Sequence, residues 1–386
     1  MTARLQIGLL WHGDSSGNLG VGALTVGNMA LVERAAERAG VAVDLIIFRP
    51  GDKAPSYVKQ GLAARHDITG RFMVAPSGYW HEIGKLDLML DIGAGDSFTD
   101  IYPNKRFAYM MATKELCFLR GVPLVFSPQT IGPFTRQPHR RLAGHALAKA
   151  RAVFARDPLS YAAIAELAPS ARRLQAIDVA FALPYTPAPK GPGIRAGINV
   201  SGLLYSGGYG GQNDYGLSID YRAFTEQLIE ALLARGDVTV ELIPHVTSSI
   251  PRDDDGSACD ALAARYPGLV RIPAFQSPSA AKSHISGLDF LVAARMHASI
   301  AAWSSGVPVL PVSYSRKFEG LYQALDYPWL VPNRGLGTDE AVARALDAFD
   351  RRREMAADIG RGAAAIEQGL ETYVGYLAAL LRELAP

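Results

Sequence analysis

The chain has 386 residues, is 49% hydrophobic with 20% Asp, Glu, Lys and Arg, and carries a formal charge of +2. That is length enough for two domains with their own cores, and there is no Lys/Arg block of the kind a nucleic-acid groove requires. The two cysteines, Cys117 and Cys259, lie far apart in no motif and leave a reducing compartment as the default.

The N-terminal stretch MTARLQIGLLWHG has one basic residue and no signal-peptide cleavage pattern, so it reads as a first buried strand over 5–11. No run of about 20 apolar residues marks a membrane span, and a cytoplasmic protein is expected. A helix over 26–39 ends at Gly40, and a second strand covers 41–48. LDLMLDIGAG (86–95) is a strand running into a glycine turn; 107–119 is helical, and VPLVFS resumes an extended segment. A helix over 140–149, the strand AVFA and a helix over 158–167 follow. Apolar strands alternating with helices predict an α/β domain with a largely parallel sheet.

PYTPAPKGPG (184–193) has four prolines and no periodicity, which marks a linker. The alternation then restarts: strand RAGINVSGL, helix 221–234, strand VTVELIPHV, helix 254–266, strand 288–292 and a helix opened by RMHASIAAW. The expected organisation is a domain over 1–184, a linker over 185–193 and a second domain over 194–338. A helical tail over 339–386, interrupted near Gly360 and Gly362, can pack back on the first domain. Two such domains in series would place a ligand in the cleft between them.

Polar residues recur where strands end. Arg295 and His297 open a helix, whose free N–H groups favour an anion. Arginine adds a fork for carboxylate or phosphate, and histidine exchanges protons near neutral pH; the plain alternative is an ion pair and a cap. In DIGAGDSFTD (91–100), Asp96 either orients or deprotonates a hydroxyl, or forms an Asx turn. Gln129, Arg156, His245, Arg316 and Lys317 also follow strands, the cations making a reasonable anion clamp, while Asp157 reads as an N-cap. The loop HGDSSGNLGVGALTVGN (12–28) is glycine-rich without being a nucleotide fingerprint or Walker A motif. Asp253 to Asp255 lacks calcium-loop spacing and reads as a solvated turn; no metal site and no G-x-S-x-G motif is found. Tyr205, Tyr209 and Tyr215, set among glycines, either stack on a sugar or belong to a mobile surface loop.

Four segments in this order, GNLGVGALTVG, DIGAGDSFTD, GVPLVFSPQTIGPF…RAVFARDPLSYAAI and ARMHASIAAWSSGVPVLPVSYSRKFEG, resemble the polysaccharide pyruvyl transferase family over nearly the whole chain. The sequence departs from the family pattern at Val21-Gly22 and at Gly93-Ala94-Gly95-Asp96. The resemblance implies two Rossmann-like domains in the GT-B glycosyltransferase architecture, with C-terminal helices. It also implies phosphoenolpyruvate as donor substrate, no separate cofactor, and a saccharide diol as acceptor that becomes a pyruvate ketal. His297 is then the expected general acid and Asp96 an acceptor-orienting group. Arg156, Arg295, Arg316 and Lys317 would bind phosphoenolpyruvate, and Asn18, Gln129 and His245 the acceptor. A nucleotide-sugar-dependent GT-B glycosyltransferase and a non-catalytic saccharide-binding protein are the rival expectations.

Overall fold

The computed structural model describes residues 4–51 and 54–385, apart from the side chains of Arg316, Lys317 and Glu319. The chain divides into two compact units. The first comprises the chain up to Ser16, Leu24–Ala182 and the stretch from Ile366 onward; the second comprises Gly17–Ala23 and Leu183–Ala365.

In the first unit, chain order is β1 (Arg4–Leu10), α1 (Leu19–Ala39), β2 (Ala42–Pro50), β3 (Ala64–Ile68), α2 (Gly70–Val74), α3 (Tyr79–Ile83) and β4 (Leu88–Asp91). It continues through α4 (Asn104–Arg120), β5 (Leu124–Gln129), α5 (Gln137–Lys149), β6 (Ala152–Ala155), α6 (Pro158–Leu167) and β7 (Arg173–Gln175). The strands pair in parallel in the order β3-β2-β1-β4-β5-β6-β7. Strands β4, β5 and β6 are buried along their whole length, as expected of parallel strands covered on both faces. The order reverses between β1 and β4, where open α/β sheets bind ligands beyond their carboxyl ends.

The second unit repeats the scheme with β8 (Ile194–Asn199), α7 (Gly202–Tyr205), α8 (Tyr221–Leu233), β9 (Val238–Leu242), α9 (Asp255–Arg265), β10 (Val270–Arg271) and α10 (Pro278–Ser286). Then come β11 (Phe290–Ala293), α11 (Met296–Ser304), β12 (Val309–Pro311), α12 (Arg316–Ala324), α13 (Thr338–Asp350) and α14 (Arg352–Leu384). Its parallel sheet has the order β10-β9-β8-β11-β12, with the reversal between β8 and β11.

Several boundaries have visible causes. Asp157 caps α6 by accepting the Ser160 N–H, with Pro158 in the first turn. Gly121 ends α4 in the left-handed conformation. The proline-rich segment after Pro184 has neither helix nor strand and is bonded to α10. Thr186 and Ala188 donate to the hydroxyls of Ser283 and Ser286, and the buried Lys282 ammonium donates to the Leu183 carbonyl.

Helix α14 runs unbroken where the glycines predict an interruption. A Cβ at Gly362 would overlap the Trp303 indole, and one at Gly369 would crowd Ile177, so these glycines serve close approach. From Ile366 onward the helix belongs to the first unit, where the Tyr373 ring packs edge-on against Phe154 at 4.9 Å and its hydroxyl meets Ser127 at 2.8 Å.

A buried ion pair anchors the carboxyl end of β4. Lys114 Nζ lies 3.0 Å from Asp91 Oδ2, neither side chain touching solvent, and the ammonium sits 5.0 Å from the Phe98 ring centroid and 5.5 Å from that of Phe126. Asp91 Oδ1 accepts the Gly93 N–H at 3.1 Å, so the pair also holds the glycine turn. Replacing Lys114 with Met should destabilise the protein by about 3–5 kcal/mol by stranding the Asp91 charge. Adding Asp91→Asn should recover part of that loss in urea unfolding. Equal stability of the single and double variants would show that the charge is not what Lys114 supports.

Candidate functional site

In the second unit the carboxyl ends of β8, β9 and β11 are drawn together by two side chains. Asn199, the last residue of β8, accepts the Arg295 backbone N–H at 2.9 Å and donates to the Ile243 carbonyl at 2.8 Å. Asp255, wholly buried at the start of α9, accepts at Oδ1 from Gly202 N–H (2.9 Å) and from Arg295 Nε (3.1 Å) and Nη2 (2.7 Å). Its Oδ2 accepts the backbone N–H groups of His245 (3.0 Å) and Val246 (2.9 Å). Asp253 adds its side chain and carbonyl, each 3.0 Å from Arg295 Nη2.

Arg295 is therefore oriented by a single carboxylate oxygen, Asp255 Oδ1, which accepts charge-assisted bonds from both Nε and Nη2. Burial works against its charge, but the Asp255 and Asp253 carboxylates outweigh it and hold its pKa above the ordinary arginine value. Nη1 is the one guanidinium nitrogen without a hydrogen bond to a described residue.

Two residues on, His297 stands half-buried in the first turn of α11. A Cβ on Gly20 would overlap its Nδ1, so glycine at 20 is what lets the backbone lie against the imidazole. The segment around Gly20 is fastened to the end of β9. Asn18 and Val246 form an antiparallel bridge, Leu19 N–H donates to the His245 carbonyl at 3.2 Å, and Thr247 N–H to the Gly17 carbonyl at 2.9 Å. Asn18 Oδ1 accepts the Gly20 N–H at 3.0 Å, and its carbonyl accepts those of Val21 and Gly22. It thus caps α1, which starts at Leu19 rather than at residue 26, glycines included. His245 is almost entirely buried, and burial, then the neighbouring His297 and Arg295, push its pKa down to about 3. It is neutral at physiological pH.

In the first unit, the loop after β4 turns through Gly93, Ala94 and Gly95, all with positive φ (53°, 49° and 90°). Ala94 is the strained member, since its Cβ crowds the backbone there. A Cβ at Gly93 would overlap the Gln129 amide, which is wholly buried and donates to the Asp91 carbonyl at 2.7 Å. Beyond the turn, Asp96 is half-buried and accepts from the Tyr102 hydroxyl at 3.3 Å. Arg156, after β6, is buried and its Nη1 lies 2.7 Å from Asp178 Oδ2.

Of the residues singled out from sequence, Asn18, His245, Arg295 and His297 lie together in the second unit. Asp96, Gln129 and Arg156 lie in the first. Arg316 and Lys317 open α12, and their side chains lie outside the described residues. Sequence reasoning missed Asn199 and Asp255. It also took Asp253 to Asp255 for a solvated turn, whereas Asp255 is buried at the centre of the cluster and Asp254 caps α9 by accepting the Ser257 N–H. The only sequence signal was three acidic residues beside a helix start. Among the described residues, no group of three or more His, Cys, Asp or Glu could hold a metal ion, and no helix is long and apolar enough to cross a membrane.

A family model described as polysaccharide pyruvyl transferase matches residues 28–316, most of the chain. No curated protein matches it in sequence. Among solved structures, the UDP-GlcNAc 2-epimerase of Neisseria meningitidis, bound to UDP-GlcNAc, superposes with a TM-score of 0.60 at 10% identity, covering 97% of this chain and 99% of that one. A putative UDP-N-acetylglucosamine 2-epimerase from Listeria monocytogenes gives 0.58 at 13% identity, covering 92% and 91%. The α,α-trehalose 6-phosphate synthase of Burkholderia multivorans gives 0.52 at 12%, covering 99% and 97%. At such identities the likeness is one of fold, and that fold is of the GT-B type, as the family resemblance implies.

His245 shares its state with His12, which is also wholly buried. His12 Nδ1 is 3.0 Å from the Leu10 carbonyl, and burial, partly offset by that bond, pushes its pKa down to about 3. Above the ordinary value of 6.5 both histidines are neutral, folded or unfolded, and contribute no pH dependence. Between 6.5 and about 3 only the unfolded chain takes up these protons, so stability falls with pH. The slope is about 1.4 kcal/mol per pH unit for each histidine. Urea unfolding at pH 7, 6 and 5 should show that decline, and His245→Gln should remove one histidine's share. An unchanged slope in the variant would place the protonation elsewhere.

Proposed function

Since the chain belongs to the polysaccharide pyruvyl transferase family, we propose that this transferase moves a pyruvyl group from phosphoenolpyruvate to a saccharide diol, forming a cyclic pyruvate ketal and releasing phosphate. The observation that supports the reading best is Arg295 beside His297. One is a guanidinium fixed by Asp255 with Nη1 left over for an anion; the other is a half-buried imidazole at the first turn of the same helix.

In this reaction His297 donates a proton to C3 of the enol, and C2 becomes electrophilic. An acceptor hydroxyl adds to C2 and loses its proton, the C2–O bond to phosphate breaks with its electron pair leaving on phosphate, and a second hydroxyl closes the ring. Arg295 binds the carboxylate or phosphate of the donor, strengthened by its low-dielectric surroundings. Arg316 and Lys317, at the start of α12, are proposed as further cations for the donor. For the first unit, the proposed roles are donor binding by Arg156 and orientation of the acceptor by Asp96. Asn18 and Gln129 are assigned to positioning, because their side chains hold backbone at the start of α1 and the end of β4, and His245 is proposed as a neutral contact to the acceptor. The GT-B fold equally fits a glycosyltransferase that uses a nucleotide-sugar, and the experiment separates the two.

Calorimetric titration should show saturable binding of phosphoenolpyruvate and none of UDP. Arg295→Lys, which keeps a charge against Asp255 but loses the fork, should weaken phosphoenolpyruvate by about tenfold. His297→Asn should leave that binding near wild type. It should also lower phosphate release, measured against a panel of saccharide acceptors, by about a hundredfold or more. Gly20→Ala, by displacing the imidazole, should resemble His297→Asn. Tight UDP binding with no heat from phosphoenolpyruvate would replace this reading with the nucleotide-sugar one.

A further inference from the structure

The glycine-rich segment 206–216 is left unused by the chemistry above, yet it is closely built. Gly207, Gly208, Gly211 and Gly216 all have positive φ. Asp214 accepts the Gly210 N–H at 2.6 Å and donates its own N–H to the Gly207 carbonyl at 3.1 Å. The Asn213 amide bonds both to the carbonyl and to the N–H of Leu217, at 2.7 and 2.9 Å. Left-handed glycines and side-chain clamps of this kind give a loop one shape.

That shape borders an open cavity of about 570 Å³, lined by α7, the loop and the first turn of α8. Leu204, Leu217 and Ile219, all buried, supply its apolar lining. One wall is Tyr205, whose ring carries the Arg222 guanidinium 4.6 Å from its centroid and whose hydroxyl donates to Glu226 at 2.9 Å. Ser218 adds a hydroxyl, while Asp220 and Arg222 offset each other in charge.

The same loop also carries Tyr209 and Tyr215 towards Arg295. Burial first, and then the Asp253 carboxylate that also holds Arg295, raise the pKa of the Tyr209 phenol, and Tyr209 remains 59% exposed. Tyr215 stands edge-on to Tyr314, with ring centroids 5.2 Å apart. The cavity is tied to that region as well: Tyr221, which lines it, accepts the Ser201 N–H at 3.2 Å, one residue before the Gly202 that donates to Asp255.

Apolar lining, an aromatic wall, hydroxyl and amide groups and no net charge match a pyranose, which has C–H faces and a hydroxyl rim, and do not match an anion. The volume lies within the range of small-ligand sites and accommodates more than one sugar unit. We infer that segment 206–216 forms a saccharide-binding site on the second unit. In it the cavity beside Tyr205 holds neutral sugar units of the acceptor that do not react, and Tyr209 and Tyr215 guide the chain towards Arg295. This rests on the saccharide-acceptor reading above, but not on phosphoenolpyruvate being the donor.

The test is binding of the intact protein to an array of defined di- to hexasaccharides, with parallel calorimetric titration of phosphoenolpyruvate. Tyr205→Ala removes the aromatic wall, and Ser218→Trp fills the cavity from an exposed position; unchanged unfolding midpoints confirm that each variant folds. The expected result is that wild type retains one or more glycans and both variants lose at least about tenfold in affinity for them, with phosphoenolpyruvate binding unaltered. Glycans held equally by wild type and both variants would overturn the assignment, as would a wild type that retains none. Glycan binding lost in the variants of a protein that never binds phosphoenolpyruvate would leave this site standing and dismiss the donor.

Discussion

The Asp255 carboxylate holds the second unit's site in place. A wholly buried carboxylate costs several kcal/mol unless its lone pairs are filled, and this one accepts from five N–H donors: Gly202, His245, Val246, and Nε and Nη2 of Arg295. The donors lie after β8, after β9 and after β11, so one anion ties three neighbouring loops to a single point. Arg295 is both a donor to that anion and the group that the proposed chemistry needs. Its orientation is thus a by-product of closing the sheet's end, and in the proposed reaction the donor anion would meet a guanidinium already fixed in direction.

The two glycine-rich motifs of the sequence do different work. Gly17 and Gly20 have no unusual φ; what they provide is space, for the Thr247 carbonyl in one case and the His297 imidazole in the other. Gly202 is of the same kind, since a Cβ there would overlap the Asp254 carbonyl and push α7 away from Asp255. The turn through Gly93, Ala94 and Gly95 instead needs left-handed backbone at three successive residues, held from below by the Asp91–Lys114 pair and by Gln129. Ala94 accepts the strain that its neighbours avoid. Close approach and backbone handedness look alike in a sequence, as a run of glycines, and only the partner atoms separate them.

The strands that sequence reasoning finds most directly are continuous apolar runs such as LMLD or AVFA, which need no knowledge of their neighbours. The strands that it omits are short or partly exposed: β3, ARHDI, with alternate residues exposed, and β7, RLQ, which contains no buried residue. The polar site divides in the same way. Arg295 and His297 are legible because two ionisable residues open a helix just after a strand, where free N–H groups favour an anion. Asp255 is not, because its meaning comes from partners 40 and 53 residues away, and an acidic residue beside a helix start already has a local explanation as a cap. A residue with an adequate local role hides a distant one.

Electrostatics then separates the two histidines of the cluster. His245 lies just after β9 and is almost entirely buried, and burial is the main cause that pushes its pKa down to about 3. That neutrality matters for its neighbours. A charged His245 would stand beside the Arg295 guanidinium, and Arg295 and His297 both act to lower its pKa. His297, at the first turn of α11, is by contrast only half-buried. The fold thereby sets the half-buried imidazole of His297 two residues from the permanent cation of Arg295. In the proposed reaction that separates the labour: Arg295 binds the anion without ever giving up a proton, and His297 supplies the proton without having to hold the charge.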